Sequence, residues 1–140
     1  MKVKRMTKYR TLSKNNKYYL PKETYLTVIH YCKQYPEWEA QLNAYTDTVK
    51  AVTYDKDRVQ TSPTSDATAD LAIRRAEISR KKDMIDKTAE EVGGMLCKWL
   101  ILGVCFDTPY YQLNQRGIPC GKDMYYNLRR RFYYEIAKKV

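Results

Sequence analysis

The chain has 140 residues, and 26 lysines and arginines against 16 acidic residues give it a formal net charge of +10. Its apolar content of 44% excludes a generally disordered protein, and its five glycines and five prolines exclude collagen-like and low-complexity chains. No apolar run reaches the roughly 18 residues that a membrane span needs, and the N-terminus has no apolar signal-peptide core. These features predict a soluble intracellular protein of one domain, or of one domain with an extended element.

The positive charge is concentrated at the two ends of the chain. Residues 1–22 carry eight bases and no acid, residues 23–105 carry 11 bases and 13 acids, and residues 106–140 carry seven bases and three acids. This asymmetry favours a polyanionic partner, because charge that only kept the chain soluble need not concentrate at the ends. Nucleic acid is the predicted partner, with an acidic protein or a membrane surface as the alternatives.

Residues 1–20 show no sustained periodicity and predict a mobile basic arm. Within it, Asn15-Asn16 predicts a turn. The arm is expected to grip phosphates or the minor groove of DNA through bases that include Lys4, Arg5, Lys8 and Arg10.

Residues 21–93 predict a helical hairpin. Pro21 fits the first position of a helix, and the polar segment 54–65 predicts an exposed loop. Between them, apolar residues recur at alternating steps of three and four without a change of phase at Pro36, which predicts a kink or two abutting helices. This stripe consists of Val28, Tyr31, Tyr35, Trp38, Leu42, Tyr45, Val49 and Val52.

A second long helix follows the loop; Ser65 or Asp66 can cap it, and Gly93-Gly94 ends it. Its large apolar residues recur every seven positions, at Leu71, Ile78, Ile85 and Val92. Three alanines, Ala72, Ala76 and Ala89, lie beside this stripe. Two long helices joined by one loop most simply form an antiparallel pair whose stripes pack in the core. The alternative use of the same stripe is a coiled coil between two copies of the chain, that is, a homodimer.

Residues 94–140 predict a helix-turn-helix domain. The segment 95–105 is apolar nearly all round and predicts a buried helix, Pro109 fits the start of a short helix, and Gly117 fits the tight turn after it. The last helix is basic, with an apolar residue at every fourth position: Met124, Leu128, Phe132, Ile136 and Val140. The predicted fold class is therefore all-α, a long helical hairpin followed by a C-terminal helix-turn-helix domain.

In a helix-turn-helix the second helix lies in the major groove, where its exposed side chains meet base edges and phosphates. Asn can read adenine and Arg can read guanine, each through two hydrogen bonds. The predicted DNA-binding residues of this domain are Lys122, Tyr126, Asn127, Arg129, Arg130, Arg131 and Arg116. The turn is about one residue longer than the common spacing, and a basic amphipathic helix without a DNA role is the alternative.

No catalytic or metal-binding motif is present in the sequence. The four cysteines are Cys32, Cys97, Cys105 and Cys120, and none of them has Cys-x-x-Cys spacing. The single histidine, His30, could provide two metal ligands together with Cys32, but no second pair of ligands accompanies them. A Gly-rich phosphate loop is also missing. We therefore predict no enzyme, no metal and no cofactor. The tyrosine doublets near basic residues favour packing, with single-strand stacking platforms as the alternative.

Three segments carry a resemblance to a known family. They are Leu20-Pro21-Lys22-Glu23, the loop at 62–66 with the sequence SPTSD, and a terminal run containing Tyr126, Arg130, Phe132, Tyr134, Ala137 and Lys138. In this layout the chain resembles the RinA/ArpU group of phage late-gene transcriptional regulators. The resemblance implies a double-stranded DNA-binding activator of late or packaging genes in the bacterial cytoplasm, with a domain similar to sigma-factor region 4. Gly121, where Ser or Thr would be more usual, and the cysteine-rich segment depart from the family pattern.

The alternative function is a protein-interaction module. In that case the helical hairpin would bind a host protein, such as RNA polymerase or a nuclease, and redirect or inhibit it. The two functions differ in one observable, because only the first requires selective binding to duplex DNA.

Overall fold

The computed structural model describes the backbone of residues 11–54 and 65–140 and the side chains of residues 11–44 and 67–140. Every regular element in these ranges is helical, which confirms the all-α fold class. The elements are α1 (Lys22–Cys32), α2 (Tyr35–Tyr54), α3 (Ser65–Gly93), a 3-10 turn (Gly94–Leu96), α4 (Cys97–Cys105), α5 (Tyr110–Gln115) and α6 (Lys122–Lys139). Among them, none has both the length and the apolar character required to cross a membrane. The predicted loop at 54–65 lies outside the described residues except for its two ends.

The chain divides into two compact units. One unit combines the chain up to Gln34 with Ile85–Val140, and the other is Tyr35–Met84. Helix α1 belongs to the first unit because it packs on α4 and α6, where three of its side chains are buried: Val28, Ile29 and Cys32. The units therefore differ from the predicted division into 21–93 and 94–140, since the sequence periodicity did not reveal that α1 packs on the C-terminal helices.

Two abutting helices, α1 and α2, replace the single periodic segment at 21–54. Helix α1 ends in a tightened turn, in which the amide of Gln34 donates to the carbonyl of Tyr31. Pro36 then lies in the first turn of α2, where its missing N–H costs nothing. Of the two predicted alternatives, kink or break, the structure shows the break, and it lies just before the proline.

Helix α3 ends at Gly93, as predicted, and the chain leaves it through Gly94 at a positive φ of 56°. Its predicted apolar stripe is buried only in the C-terminal part of the helix. Ile85 and Val92 are core residues, whereas Leu71 is 46% exposed, and Ala72 and Ala76 are also exposed. The prediction of a fully buried stripe is wrong for the N-terminal part, because that part belongs to the smaller unit, which has fewer helices to cover it.

Within the Tyr35–Met84 unit, α2 and the N-terminal part of α3 run antiparallel. The Lys82 ammonium lies 4.9 Å from the centre of the Tyr35 ring. Further along α2, a groove is lined by residues of both helices: Gln41, Leu42, Ala44, Leu71, Arg74, Arg75 and Ile78. As the chain position rises on α2 it falls on α3, which is the arrangement expected of a helical hairpin.

The core of the larger unit is built around α4. This helix contacts α1, α5 and α6, and its Leu100 and Val104 side chains are buried. The predicted buried helix at 95–105 begins later than expected, because Met95 lies in the 3-10 turn and is 96% exposed. Cys32 of α1 and Cys105 of α4 are both buried as free thiols. A hydrogen bond with the Cys32 thiol, together with burial, raises the pKa of Cys105 well above its ordinary value.

Candidate nucleic-acid interface

The turn between α5 and α6 is held by a buried anchor and by backbone hydrogen bonds. Gly117 adopts a φ of 98°, a conformation that side chains with a Cβ rarely adopt. Next to it, the Ile118 amide donates to the carbonyl of Leu113, and both side chains are buried. The Tyr110 hydroxyl donates to the carbonyl of Cys120 at 2.8 Å, which ties the start of α5 to the residues before α6. The predicted role of Gly117 in this turn agrees with the structure.

The buried face of α6 differs from the predicted stripe. Its buried side chains are Tyr125, Phe132, Tyr133 and Ile136, whereas Met124 and Val140 are each 55% exposed. A strict four-residue spacing advances about 40° around the helix at each step, because 3.6 residues make one turn. After four such steps the stripe has turned by about 160°, so its first and last residues, Met124 and Val140, no longer lie on the buried face. Tyrosines fill the remaining positions on the buried face.

Arg129, a predicted DNA contact, lies against aromatic side chains of α6 in the structure. Its guanidinium lies 5.6 Å from the ring centre of Tyr126 and 5.7 Å from that of Tyr133. Its Nε donates to the Tyr133 hydroxyl at 3.4 Å. Burial alone would lower the pKa of Arg129, but the Tyr133 hydroxyl raises it, so the guanidinium keeps its charge inside this aromatic contact. Arg129 thus contributes to the packing of α6 and does not line the groove on its exposed face.

The opposite face of α6 is exposed and carries most of the other predicted residues. Asn127, Arg130 and Arg131 are exposed, as is Lys122 in the first turn, and Tyr126 is half-buried at the edge of this face. A shallow groove runs along the first turns of the helix, lined by Lys122, Asp123, Met124, Tyr126, Asn127 and Arg130. The structure thus brings four predicted residues together in one groove.

The remaining predicted residues do not join this groove. Arg116 is exposed but lies at the C-terminal end of α5, where its amide caps the last carbonyls of that helix. Arg131 is exposed on α6 without lining the groove. The candidate phosphate contacts of the arm, Lys4, Arg5, Lys8 and Arg10, lie outside the described residues.

Two groove residues, Asp123 and Met124, were not predicted to belong to the site. Asp123 lies four residues before Asn127 and seven before Arg130, the spacing that places side chains on one helical face. That signal was available in the sequence. Met124 was assigned to the apolar stripe, and only the position of the buried face shows that it points outward.

A part of the predicted N-terminal arm packs on α6. Within residues 11–20, hydrogen bonds among Ser13, Asn16, Tyr18 and Tyr19 form a turn at the predicted Asn15-Asn16 position. The Tyr18 ring lies 5.6 Å from the Tyr134 ring of α6, so this portion is packed and not the mobile segment that was predicted. Lysines flank both rings, with the Lys17 ammonium 5.1 Å from the Tyr18 ring and the Lys138 ammonium 4.7 Å from the Tyr134 ring.

Most of the tyrosine doublets contribute to packing. Tyr125 and Tyr133 are buried, and Tyr110 lies 5.6 Å from the ring of Tyr125. Tyr25 of α1 makes an edge-to-face contact with Tyr133 at 5.6 Å. Rings that are enclosed in this way are not available to stack on the bases of a single strand.

No family model, curated protein or solved structure matches the chain. The case for its function therefore rests on the geometry of α6. In the described ranges, no group of three or more His, Cys, Asp or Glu side chains is placed to hold a metal ion. What the exposed face offers is an amide and a guanidinium one helical turn apart, with further cations nearby.

Proposed function

We propose that this protein binds double-stranded DNA by placing α6 in the major groove. The observation that carries the proposal is the division of α6 into two faces. Tyr125, Phe132 and Ile136 are buried on one face, while Asn127 and Arg130 are exposed on the other. A helix fixed to its own protein along one side, with hydrogen-bonding side chains along the other, has the form that major-groove recognition requires.

The chemistry of the two side chains suits base recognition. An Asn side chain can accept from adenine N6 and donate to N7, and an Arg side chain can donate to both O6 and N7 of guanine. Asn127 and Arg130 are three residues apart and therefore about 4.5 Å apart along the helix axis. This separation is close to the 3.4 Å rise between base pairs, so the two side chains would meet neighbouring steps of one site.

The surrounding charges support binding to the phosphates. Lys122 and Arg131 are exposed on α6 near these two residues. Lys4, Arg5, Lys8 and Arg10 remain predicted phosphate contacts from the sequence. If these bases neutralise about five to six phosphates, they contribute about −5 to the slope of log K against log salt, and any further phosphate contact makes the slope steeper.

The biological role follows from the resemblance to the RinA/ArpU group. We propose a phage-type transcriptional regulator that acts in the cytoplasm of the bacterial host and activates late or packaging genes, with host RNA polymerase as a further partner. Selective binding to one DNA sequence is the property on which this role depends.

The experiment that tests the function is selection from a random duplex library followed by titration of the selected site. We expect one preferred sequence, and we expect Asn127→Ala and Arg130→Ala each to lose about 1–3 kcal/mol of discrimination at a different base position. Lys87→Ala is the matched control, because Lys87 is an exposed base on α3. If the library yields no preferred sequence, or if all three variants lose affinity equally on every duplex, the proposal of selective reading is wrong.

One observation favours a second candidate function, the protein-interaction module. Leu71 is 46% and Ile73 is 59% exposed on α3, and Leu71 lines the groove between α2 and α3. An amphipathic helix of a host protein would place apolar side chains on this groove, with an acidic side chain facing Arg74 at its edge. Binding of purified host RNA polymerase by the full chain, lost in Leu71→Glu but retained in Arg130→Ala, would support this function.

A further inference from the structure

The contacts of the N-terminal segment with α6 create a second cationic surface. We call the four residues Lys17, Tyr18, Tyr134 and Lys138 the tyrosine–lysine cluster. The centres of the two rings are 5.6 Å apart. The Lys17 ammonium lies 5.1 Å from the centre of the Tyr18 ring, and the Lys138 ammonium lies 4.7 Å from the centre of the Tyr134 ring. Lys17 and Lys138 are exposed, so two positive charges from distant parts of the chain lie on one surface.

The helical register places this cluster on the same face as the groove of α6. Tyr134 and Lys138 lie seven and eleven residues after Asn127. With 100° per residue, both positions lie within about 20° of Asn127 around the axis. At 1.5 Å per residue they lie about 10 Å and 16 Å further along the helix.

These distances match the dimensions of duplex DNA. The major groove is about 12 Å wide, and its two edges are the phosphate backbones. When Asn127 is at the base edges inside the groove, side chains about 10–16 Å further along the same face reach a backbone. Lysine ammonium groups at that position meet phosphate oxygens.

We propose that the tyrosine–lysine cluster binds the DNA backbone at the edge of the groove occupied by α6. This inference rests on the proposed function, because it uses the placement of α6 in the major groove. The cluster contributes affinity on every sequence and carries no base recognition. It also fixes the orientation of α6, since a backbone contact at one end of the helix prevents the helix from rotating in the groove.

The tyrosine rings act as positioning residues for Lys17. The segment at 11–20 forms no helix, and a turn at Asn16 together with the Tyr18–Tyr134 contact holds it against α6. Lys17, which is exposed and has its ammonium over the Tyr18 ring, is thereby held on the same surface as Tyr134. Loss of the Tyr18 ring would release Lys17 from this surface although the lysine itself remained.

Glu135 competes with phosphate for one of the two lysines. Its Oε2 lies 3.4 Å from the Lys138 ammonium. An exposed ion pair of this type is weak and is screened by salt, so a phosphate can displace it. The neighbouring Lys139 provides a contrast, because its ammonium donates to Thr88 at 2.8 Å and pairs with Glu91 at 3.2 Å on α3.

The test measures how salt affects the binding of the full chain to a random-sequence duplex by fluorescence anisotropy. Lys17→Ala and Lys138→Ala should each reduce the slope of log K against log salt by about 0.9, and the double variant by about 1.8. Lys139→Ala, which removes the same charge one residue away, should leave the slope unchanged. A double variant with the wild-type slope would overturn the inference.

Four further variants separate positioning from charge. Tyr18→Ala should reduce the slope of log K against log salt as much as Lys17→Ala does. Tyr18→Phe should keep the wild-type slope, because it retains the ring contact with Tyr134. Glu135→Gln should tighten binding by about two- to five-fold, and Glu91→Gln, with the same change of charge, should not. Equal effects of the two glutamine variants, or no effect of Tyr18→Ala on the slope, would contradict the proposed binding of the tyrosine–lysine cluster to the DNA backbone.

The readouts also separate this inference from the proposed function. Sequence preference reports on Asn127 and Arg130, whereas the slope on random duplex reports on the cluster. A chain without sequence preference whose slope still depends on Lys17 and Lys138 would refute selective reading and support the backbone contact. A chain that binds no duplex at all would overturn both.

Discussion

Gly103 determines how closely α4 and α6 can approach each other. A Cβ atom at this position would overlap the hydroxyl group and the ring of Tyr125, which is buried on α6. The glycine is therefore required by space and not by backbone conformation. Because Tyr125 begins the buried face of α6, the placement of the whole helix depends on this contact.

We expect Gly103→Ala to lower the free energy of unfolding by about 1–3 kcal/mol, the usual cost of overpacking a core. Urea denaturation followed by circular dichroism measures this directly. Gly121→Ala is the control for the added methyl group, because a Cβ there would meet no atom within 4 Å; since Gly121 is the N-cap of α6, we expect this variant to cost no more than about 1 kcal/mol. Equal stabilities of the two variants would show that α6 is not seated against α4 at Gly103.

The Tyr125 hydroxyl is a buried polar group without a hydrogen-bond partner among the described residues. Burial raises its pKa to about 12. The nearby Arg129 guanidinium lowers this pKa through its charge, but it does not satisfy the hydroxyl with a hydrogen bond of good geometry. An unsatisfied buried group of this kind destabilises a fold.

Two consequences follow for Tyr125→Phe. At neutral pH the variant should be at least as stable as the wild type, because it removes an unsatisfied hydroxyl and keeps the ring. Between about pH 10 and pH 12 the wild type should lose up to about 3 kcal/mol of stability at this site, because the phenol then ionises in the unfolded chain before it ionises in the folded one. The variant should lose less.

Urea denaturation as a function of pH tests this pair of expectations. Tyr111→Phe is the control, since Tyr111 is 62% exposed. Parallel stability curves for Tyr125→Phe and the wild type above pH 10 would be inconsistent with a buried, neutral phenol at this position.

The turn between α5 and α6 sets the direction of α6 relative to α5. Gly117 has a φ of 98° and nothing within 4 Å of an added Cβ, so that its requirement is conformational and not spatial. We expect Gly117→Ala to cost about 1–3 kcal/mol of stability, the range for residues held in a sparsely populated backbone conformation. Gly117→Asn should cost less, because Asn tolerates positive φ better than Ala.

Thermal unfolding of the two Gly117 variants measures the difference. Binding to duplex DNA, measured well below the unfolding temperature, then shows whether the turn also sets the geometry of the interface. If Ala and Asn are equally tolerated, the turn is not under the conformational constraint that the structure indicates.

Some helix boundaries were predictable from the sequence, whereas the start of α4 and the packing of the helix faces were not. Gly93-Gly94 marks the end of α3 and Pro109 marks the start of α5, because both signals act through local backbone chemistry. The environment of Leu71 depends on how many other helices reach it, and this is a tertiary property. Periodicity shows that a stripe is apolar, but it does not show whether the stripe is covered.

The candidate interface illustrates the same limit. Asn127 and Arg130 were predicted to be exposed and they are. Arg129 was assigned to the same surface because all three lie in one basic run. Its true environment depends on Tyr126 and Tyr133, each one turn of the helix away, and on α1, which brings Tyr25 to the Tyr133 ring. Nothing in the local pattern indicated that α1 would pack there.

Taken as a whole, the molecule carries its positive charge at both chain ends. Replacing Lys4, Arg5, Lys8 and Arg10 together by Ala should reduce the salt slope of duplex binding by up to about 3.6, at about 0.9 per phosphate contact, without changing sequence preference. The control variant, Arg80→Ala with Lys87→Ala, removes two exposed bases of α3. If its effect per charge equals that of the arm variant, the contribution of the arm is non-specific attraction and not phosphate contact.

The burial of Cys32 and Cys105 between α1 and α4 makes these thiols reporters of local opening. Both are enclosed, and the raised pKa of Cys105 keeps it in the unreactive thiol form, while Cys97 and Cys120 are only half-buried. An alkylating reagent should therefore label two sulfurs quickly and the other two only when α1 separates from α4. The slow labelling rate, followed by mass spectrometry, would measure how often that separation occurs, and bound DNA should slow it further if it stabilises the α1–α6 contact.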